Sequence, residues 1–191
     1  MAAKSSARSG NIYQLKVTLE EIEPPIWRRL EVPGDITLAR LHSVIQLAMG
    51  WQDYHLHEFR IGDVTYGEPN PEFDDDREIK DDRRAWLRRA VSGVGEEFIY
   101  LYDFGDGWTH DIVVEDIRAS EPRIRYPRVI AGARACPPED VGGPYGYVDF
   151  LQAIADPKHT EHDGMLEWVG GEFDPEAFDV DAKNREFDVV F

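Results

Sequence analysis

The most constraining feature of the chain is the segment 100–112, YLYDFGDGWTHDI, in which two alternating runs flank a short stretch of Asp and Gly. Asp-Gly between two such runs is typical of a β-hairpin, because glycine accepts the positive backbone angle that tight turns require. The segment therefore predicts a hairpin that directs Trp108 and His110 together into the interior. The residues expected on its buried face are Phe98, Tyr100, Tyr102, Phe104, Trp108, His110, Ile112 and Val114.

Alternation of apolar and polar residues predicts further strands in the first half of the chain. It covers residues 12–19, 26–32 and 54–67. The acidic, proline-broken segment 69–82 predicts a mobile surface loop, and the prolines and glycines after residue 126 predict an ordered irregular loop that holds Cys136. In the third strand, one face is expected to carry His55, His57, Phe59 and Ile61.

The main helix is predicted over residues 38–49, where apolar side chains recur at helical spacing between a capping Thr37 and a terminal Gly50. His42 lies on its apolar stripe and is expected to be a hydrogen-bonded core residue. Short helices are expected over 148–155 and around Met165 to Val169.

Together these elements predict an α+β fold. We expect a single-domain roll over residues 11–191, with a curved, mostly antiparallel sheet, the 38–49 helix packed on it and a helical C-terminal part. The small, polar residues 1–10 are expected to form a disordered tail.

The charge of the chain argues against nucleic-acid binding by the whole surface. The 38 acidic residues outnumber the 21 Lys and Arg, which gives a net charge of -17 and repels phosphate backbones. The acids are concentrated in residues 139–191, whereas arginines cluster between residues 118 and 134. These arginines are expected to pair with the acidic C-terminal third or with a partner protomer, so an oligomer remains open.

Composition also bears on location. No run of about 18 apolar residues occurs, so no membrane span is predicted. The N-terminal residues have no apolar stretch of the secretory type, and one cysteine forms no internal disulfide. We therefore expect a cytoplasmic protein.

Histidines and carboxylates near the hairpin give a metal hypothesis. His57 and His110 lie on apolar strand faces, and Asp103 and Asp106 lie at the hairpin tip. If these four side chains converge, they form a mixed site suited to a divalent ion such as zinc, manganese or iron. Alternatively, each histidine bonds a nearby carboxylate or carbonyl at the margin of the core.

Five blocks of the sequence resemble the plasmid pRiA4b ORF-3-like family, whose members are also described as TnpR-like passenger proteins of insertion elements. The resemblance spans residues 12–187 and implies a compact α+β roll in a protein associated with plasmids or mobile elements, without a defined activity. Some relatives of this kind are fused to DNA-binding domains, which implies a partner or sensor role. The blocks are IEPPIWRRLEVP, LHSVIQLAMGWQDYHLHEF, YDFGDGWTH, CPPEDVGGPYGY and FDPEAFDVD.

The resolvase association does not extend to a recombinase reaction. A serine recombinase needs a nucleophilic serine among arginines and a basic DNA-binding part, and this acidic chain with scattered serines offers neither.

Two functional hypotheses remain. The favoured one is a non-catalytic binding or regulatory module whose cleft takes a protein, a peptide or a small molecule. The alternative is a metal-dependent hydrolase or nuclease using His57, His110, Asp103 and Asp106, with the metal activating water. A nucleophilic Cys136 is the third choice. The candidate cleft residues are Trp51, His55, His57, Tyr102, Asp103, Asp106, Trp108, His110, Cys136 and Tyr147.

Overall fold

A computed structural model describes residues 10–69 and 78–191. Within these residues, eight strands form one sheet in the order β5-β4-β3-β6-β7-β1-β2-β8, and all neighbours are antiparallel except the parallel pair β4–β5. The predicted α+β class with a mostly antiparallel sheet is confirmed. The strands are β1 (Asn11–Leu19), β2 (Trp27–Pro33), β3 (His57–Ile61), β4 (Val64–Gly67), β5 (Ile79–Asp81), β6 (Glu97–Tyr102), β7 (Trp108–Ala119) and β8 (Arg128–Ala133).

Residues 100–112 contain the turn of the predicted hairpin, β6–β7. Tyr102 pairs with Trp108 across the two strands, and Tyr100 pairs with His110. Trp108 and His110 are both fully buried, as predicted. Phe104 was expected on the same buried face, but it lies in the turn and is exposed, because the alternation ends with the strand at residue 102.

The main helix, α1 (Leu38–Met49), has the predicted bounds. The Thr37 side chain accepts a hydrogen bond from the backbone N–H of Arg40 at its start. At its end Gly50 adopts a φ of 108°, a left-handed conformation that glycine reaches without a Cβ clash. Its expected apolar stripe belongs to the hydrophobic core that also includes the inward side chains of the sheet.

The helical C-terminal part is confirmed, although its details differ from prediction. It comprises α3 (Gly143–Ala155), α4 (His162–Val169) and α5 (Val180–Val190), of which α5 was not predicted. Helix α5 is held against the sheet by Asn184, whose side chain bonds the backbone N–H and carbonyl of Val129 at 3.0 and 2.8 Å. The short helix α2 (Leu87–Ala90) is a single turn.

Two loop predictions need correction. Residues 128–133, predicted as irregular, form strand β8, which pairs antiparallel with β2. The described end of the predicted loop 69–82 forms β5 and the start of a short 3-10 turn, Asp82–Arg84. Residues 70–77 of that loop and residues 1–9 of the predicted tail lie outside the described residues.

Several arginines of the basic cluster pair within the chain. Arg128 contacts the buried carboxylate of Glu31 at 2.6 Å, and Arg118 also contacts it. Arg125 and Arg134 bind Asp188 and Glu176 in the acidic C-terminal third, as the charge distribution predicts. Among the described residues, no helix combines the length and apolarity that a membrane crossing requires.

Candidate functional site

Three loops meet at one end of the sheet, and most of the predicted site residues lie in or beside them. We call this region the loop junction and define it as residues 50–56, 103–107 and 134–142. The first and third loops are joined by the Trp51 indole N–H, which donates to the carbonyl of Pro137 at 3.0 Å. The second and third loops are joined by the backbone N–H of Gly142, which donates to Asp106 Oδ2 at 3.0 Å.

The second loop and the start of α3 approach so closely that a side chain would not fit between them. Gly143 has a φ of 70°, and a Cβ placed on it would lie 2.4 Å from the backbone carbonyl oxygen of Asp106. A glycine is therefore required for this contact, which brings the hairpin tip against the start of α3.

The aromatic residues of the predicted cleft lie in the interior. Tyr102, Trp108 and Tyr147 are fully buried, so they do not line an open cleft. Trp51 is also buried, with its ring 5.0 Å from that of Tyr102 and 6.0 Å from that of Trp108. These rings form the packed floor beneath the loop junction, because inward-facing positions of β6 and β7 belong to the core.

Tyr102 connects this floor to the loops through its hydroxyl group. The hydroxyl accepts the backbone N–H of Tyr54 at 3.1 Å and donates to Glu139 Oε1 at 3.1 Å. Burial, reinforced by the Glu139 carboxylate, raises the pKa of Tyr102, so the phenol stays protonated and keeps donating. The same Glu139 oxygen accepts the backbone N–H of Gln52 at 2.8 Å.

His110 is part of the core. Its Nδ1 lies 3.2 Å from the carbonyl oxygen of Tyr100 and 3.1 Å from that of Trp108, an arrangement that requires a proton on Nδ1. Burial lowers the pKa of His110 to about 4, so the ring is neutral at physiological pH.

His57 belongs to a second interior arrangement. Its ring stacks on that of His42 at a centroid distance of 3.5 Å, and its Nε2 lies 2.9 Å from Asp82 Oδ2. His42, as expected, is a hydrogen-bonded core histidine: its two nitrogens each lie 2.7 Å from a partner, Asp53 Oδ1 and the Tyr100 hydroxyl. Burial first, and then the neighbouring His57, lowers the pKa of His42 to about 4.

The four predicted metal ligands do not converge. Within the described residues, no three of His57, His110, Asp103 and Asp106 bring their ligand atoms within reach of one ion. The two imidazoles are directed to separate interior partners. Asp106 instead ties two loops together, as described above.

His55 was expected to share a strand face with His57. It lies before β3 begins, so the alternation of side chains along that strand does not determine its direction. Its Nε2 lies 3.0 Å from Asp140 Oδ1 and 3.6 Å from Asp103 Oδ2. The three ligand atoms all lie within 4.8 Å of one another. This cluster draws one residue from each of the three loops.

A pocket of about 520 Å³ opens on another side of the junction, beside Trp51 and Cys136. We call it the Trp51 pocket. A larger groove of about 910 Å³ between α3 and α4 includes Asp140 of the third loop and none of the predicted site residues. The Trp51 pocket is lined by Arg28, Met49, Gly50, Trp51, Gln52, Ala135, Cys136, Pro137, Pro138, Glu139, Val169, Phe173, Ala177, Phe178, Asp179, Ala182 and Lys183.

Two groups in the Trp51 pocket have unusual environments. The buried guanidinium of Arg28 donates to four backbone carbonyls, including those of Ala48 and Arg134, and lies 3.8 Å from the centre of the Phe178 ring. Burial lowers the pKa of Arg28 to about 10, which leaves it cationic at neutral pH. Burial raises the pKa of the Cys136 thiol, which keeps it protonated and disfavours it as a nucleophile.

Comparison with known proteins decides the family. The model of the plasmid pRiA4b ORF-3-like protein family matches residues 11–182. The chain belongs to this family. It is 44% identical over 182 residues to the uncharacterized protein y4hQ of Sinorhizobium fredii, covering 93% of this chain and 91% of y4hQ. It also resembles the crystal structure of MM3350, a protein of unknown function from Methanosarcina mazei, with a TM-score of 0.82 and 35% identity over 90% of this chain and 97% of MM3350.

Four residues that the structure places at the junction or in the pocket of this pRiA4b ORF-3-like protein were not among the predicted site residues. Asp140 and Glu139 follow Cys136 in a loop whose path could not be read from its prolines. Arg28 appeared to be an ordinary strand residue, and Lys183 lies in the helix that was not predicted. The block CPPEDVGGPYGY, which contains both acids, was the available signal.

Proposed function

We propose that this pRiA4b ORF-3-like protein is a non-catalytic binding module that takes a small amphipathic organic molecule in the Trp51 pocket. The observation that carries the proposal is the pocket itself, which is concave and joins Trp51 and Cys136 of the predicted cleft. Its volume of about 520 Å³ is in the range of small-molecule sites. Among the ligand classes considered, a small molecule suits a concave pocket of this size better than a protein surface does.

The chemistry of the lining supports an amphipathic ligand. Met49, Trp51, Val169 and Phe173 offer apolar contacts on several sides. Lys183, together with the acids Glu139 and Asp179, places charges of both signs around them. A ligand with an apolar body and at least one charged group would therefore find apolar contacts for its body and an opposite charge for its charged group.

The side chains of the pocket favour binding over turnover. No histidine or serine occurs among the residues that line it, and the Cys136 thiol is held in its protonated form. The Glu139 carboxylate already accepts hydrogen bonds from Gln52 and Tyr102, which leaves it less available as a general base.

A regulatory role follows from the elements that the pocket joins. Its lining comes from the end of α1, the third loop of the junction and the first turn of α5. A ligand in contact with all three would favour the conformations in which they are held together.

The test is a thermal-shift screen of small organic acids, amines and zwitterions, followed by assays for product formation with each stabilising compound. Ala182→Leu fills the pocket from the first turn of α5 with a residue of good helix propensity, and Ala155→Leu is its matched control at the exposed end of α3. We expect compounds that raise the Tm of the wild type and of Ala155→Leu but not of Ala182→Leu.

Lys183→Gln tests the charged part of the pocket, with the exposed Lys158→Gln as its control. We expect anionic hits to bind more weakly to Lys183→Gln alone. The proposal fails if no compound stabilises the protein, if Ala182→Leu retains every shift, or if a stabilising compound is converted to product.

A further inference from the structure

We propose that His55, Asp103 and Asp140 form a binding site for a divalent transition-metal ion at the loop junction. This site is separate from the Trp51 pocket. The first observation is the grouping of the three ligand atoms within 4.8 Å of one another. The second is that His55 Nε2 is shielded from solvent and has no hydrogen-bond partner among the described residues.

The spacing of the three side chains suits an ion. Metal–ligand bonds to imidazole nitrogen and carboxylate oxygen are about 2.1 Å long, so a tetrahedral ion holds its ligands about 3.4 Å apart. The two measured separations, 3.0 Å from His55 Nε2 to Asp140 and 3.6 Å to Asp103, lie on either side of that value. Closing the site around an ion therefore requires only small side-chain adjustments.

The position of Asp103 is already determined by its surroundings. Its side chain is only 9% exposed, and Oδ1 accepts the backbone N–H groups of Gly105 and Asp106 at 2.9 and 3.3 Å. These bonds leave Oδ2 directed towards His55. A carboxylate with one oxygen bound by the protein and the other turned to a neighbouring imidazole has the outer-shell support that metal ligands typically have.

Asp140 makes the site accessible. Its side chain is 66% exposed, so an ion can enter from solvent without unfolding the junction. Asp103 and Asp140 both have a left-handed backbone, with φ values of 55° and 58°, which aspartate tolerates better than most residues. With three protein ligands, at least one position of the ion would remain open to water.

A protonated His55 that bridges the two carboxylates is the competing explanation. In that case an N–H should point at an oxygen, yet the 3.0 Å contact with Asp140 lacks hydrogen-bond geometry and Asp103 is beyond bonding distance. An ion placed between the two oxygens would use the Nε2 lone pair that the present contacts leave unused. It would also neutralise two carboxylates that face each other in a chain of net charge -17.

The ligand set indicates the class of ion. One imidazole and two carboxylates suit Zn²⁺, Mn²⁺ or Fe²⁺, whereas Mg²⁺ and Ca²⁺ prefer oxygen ligands alone. Zn²⁺ should bind more tightly than Mn²⁺ at such a site.

The test is calorimetric titration of the chelator-treated 191-residue chain with Zn²⁺, Mn²⁺ and Mg²⁺, supported by the Mn²⁺ EPR spectrum. We expect one equivalent of Zn²⁺ and of Mn²⁺ to bind and Mg²⁺ to bind more weakly than either. Asp103→Asn and Asp140→Asn should each weaken Mn²⁺ binding more than about tenfold, the minimum loss typical even of outer-shell changes. His55→Gln should act in the same way.

These variants are chosen to leave the fold intact. Asn at position 103 keeps an oxygen for the turn, and Asn at the exposed position 140 tolerates the left-handed backbone. Asp63→Asn, in the exposed turn between β3 and β4, removes the same charge away from the site and should bind normally. Ala182→Leu should also bind metal normally, which separates this proposal from the ligand proposed for the Trp51 pocket.

The absence of stoichiometric Zn²⁺ and Mn²⁺ binding would overturn the proposal. A loss of Mn²⁺ affinity in Asp63→Asn equal to that in the site variants would also overturn it. Binding that persists in all three site variants would show that the ions are held elsewhere.

Discussion

Within the described part of the chain, histidines lie beside carboxylates in two places, which differ in how completely their polar groups are hydrogen-bonded. In the interior, His42 and His57 stack, and each has a carboxylate at hydrogen-bond distance. A carboxylate only accepts, so Asp53 requires the proton on His42 Nε2, and His42 Nδ1 accepts from the Tyr100 hydroxyl. Gln46 completes this network by donating to the same hydroxyl.

At the loop junction, the corresponding set is incomplete. His55 faces two carboxylates, but its Nε2 forms no hydrogen bond with described residues. Buried polar groups of proteins are usually paired, so the unpaired nitrogen distinguishes this cluster from the stacked His42–His57 pair. The comparison teaches that proximity of histidine and aspartate does not identify a binding site, whereas an unsatisfied nitrogen among convergent acids points to one.

The largest expected difference between the two places is in stability. His42→Ala should lower the free energy of unfolding by about 2–5 kcal/mol, because it opens a cavity in the core and removes the acceptor of the Tyr100 hydroxyl. His55→Ala, at a half-buried loop position, should cost less than about 1 kcal/mol. Urea unfolding at pH 7.5 in the presence of a chelator measures both. Equal losses would mean that the junction is as much a part of the folding core as the stacked pair.

The interior histidines should also make stability depend on pH. Burial lowers the pKa of His110 to about 4, whereas an unfolded histidine titrates near 6.5. Between these pH values the histidine is protonated in the unfolded chain and neutral in the folded chain. The contribution of neutral His110 to the free energy of unfolding is therefore full above about pH 6.5 and is lost as the pH falls towards 4. The size of the loss is about 3 kcal/mol for His110. His42, with a pKa also lowered to about 4, acts in the same direction.

His110→Phe should therefore flatten the curve of unfolding free energy against pH between 6.5 and 4, whatever its effect at neutral pH. Ile112→Val is the matched control, since it alters the next inward position of β7 without removing a titrating group. If the His110→Phe curve is as steep as that of Ile112→Val, His110 is not a source of the pH dependence of stability.

The parts of the fold that the sequence predicted are those with a local signal. The β6–β7 hairpin and helix α1 are recognisable because turn residues, caps and periodicity agree over a dozen residues. Helix α5 was missed because it is mostly polar and buries fully only Phe187, so its position depends on contacts such as that of Asn184 with β8. Strand β8 was missed because its glycine and neighbouring prolines resemble those of a loop.

The candidate site was predicted only in part for a related reason. Asp103 was found because it belongs to the hairpin signal, and His55 was included among the cleft residues. The metal set predicted from the sequence used His57 and His110 rather than His55. His57 contacts Asp82 instead, whereas His55 precedes the strand and faces the junction. Asp140 comes from a distant loop, and its approach depends on the Gly143 contact, which is a tertiary feature.

A small effect on stability, together with a direct test of whether the loops of the junction act as a unit, is expected from substitution of Asp106. Its Oδ2 accepts the N–H of the exposed Gly142 and so joins the loop of Asp103 to the loop of Asp140. Asp106→Ala should cost only about 1 kcal/mol, because the freed N–H can bond to water. It should nevertheless weaken Mn²⁺ binding, since the two carboxylates are no longer held together before the ion arrives.

Asp106→Asn keeps an acceptor for Gly142 and separates this positioning effect from the loss of a charge near the ion. Calorimetric titration of Mn²⁺ into both variants should give weaker binding for Asp106→Ala than for Asp106→Asn, with nearly equal stability by urea unfolding. If the two bind Mn²⁺ equally, the loops are aligned by the Gly143 contact alone, and the difference between the completed interior pair and the open junction does not depend on Asp106.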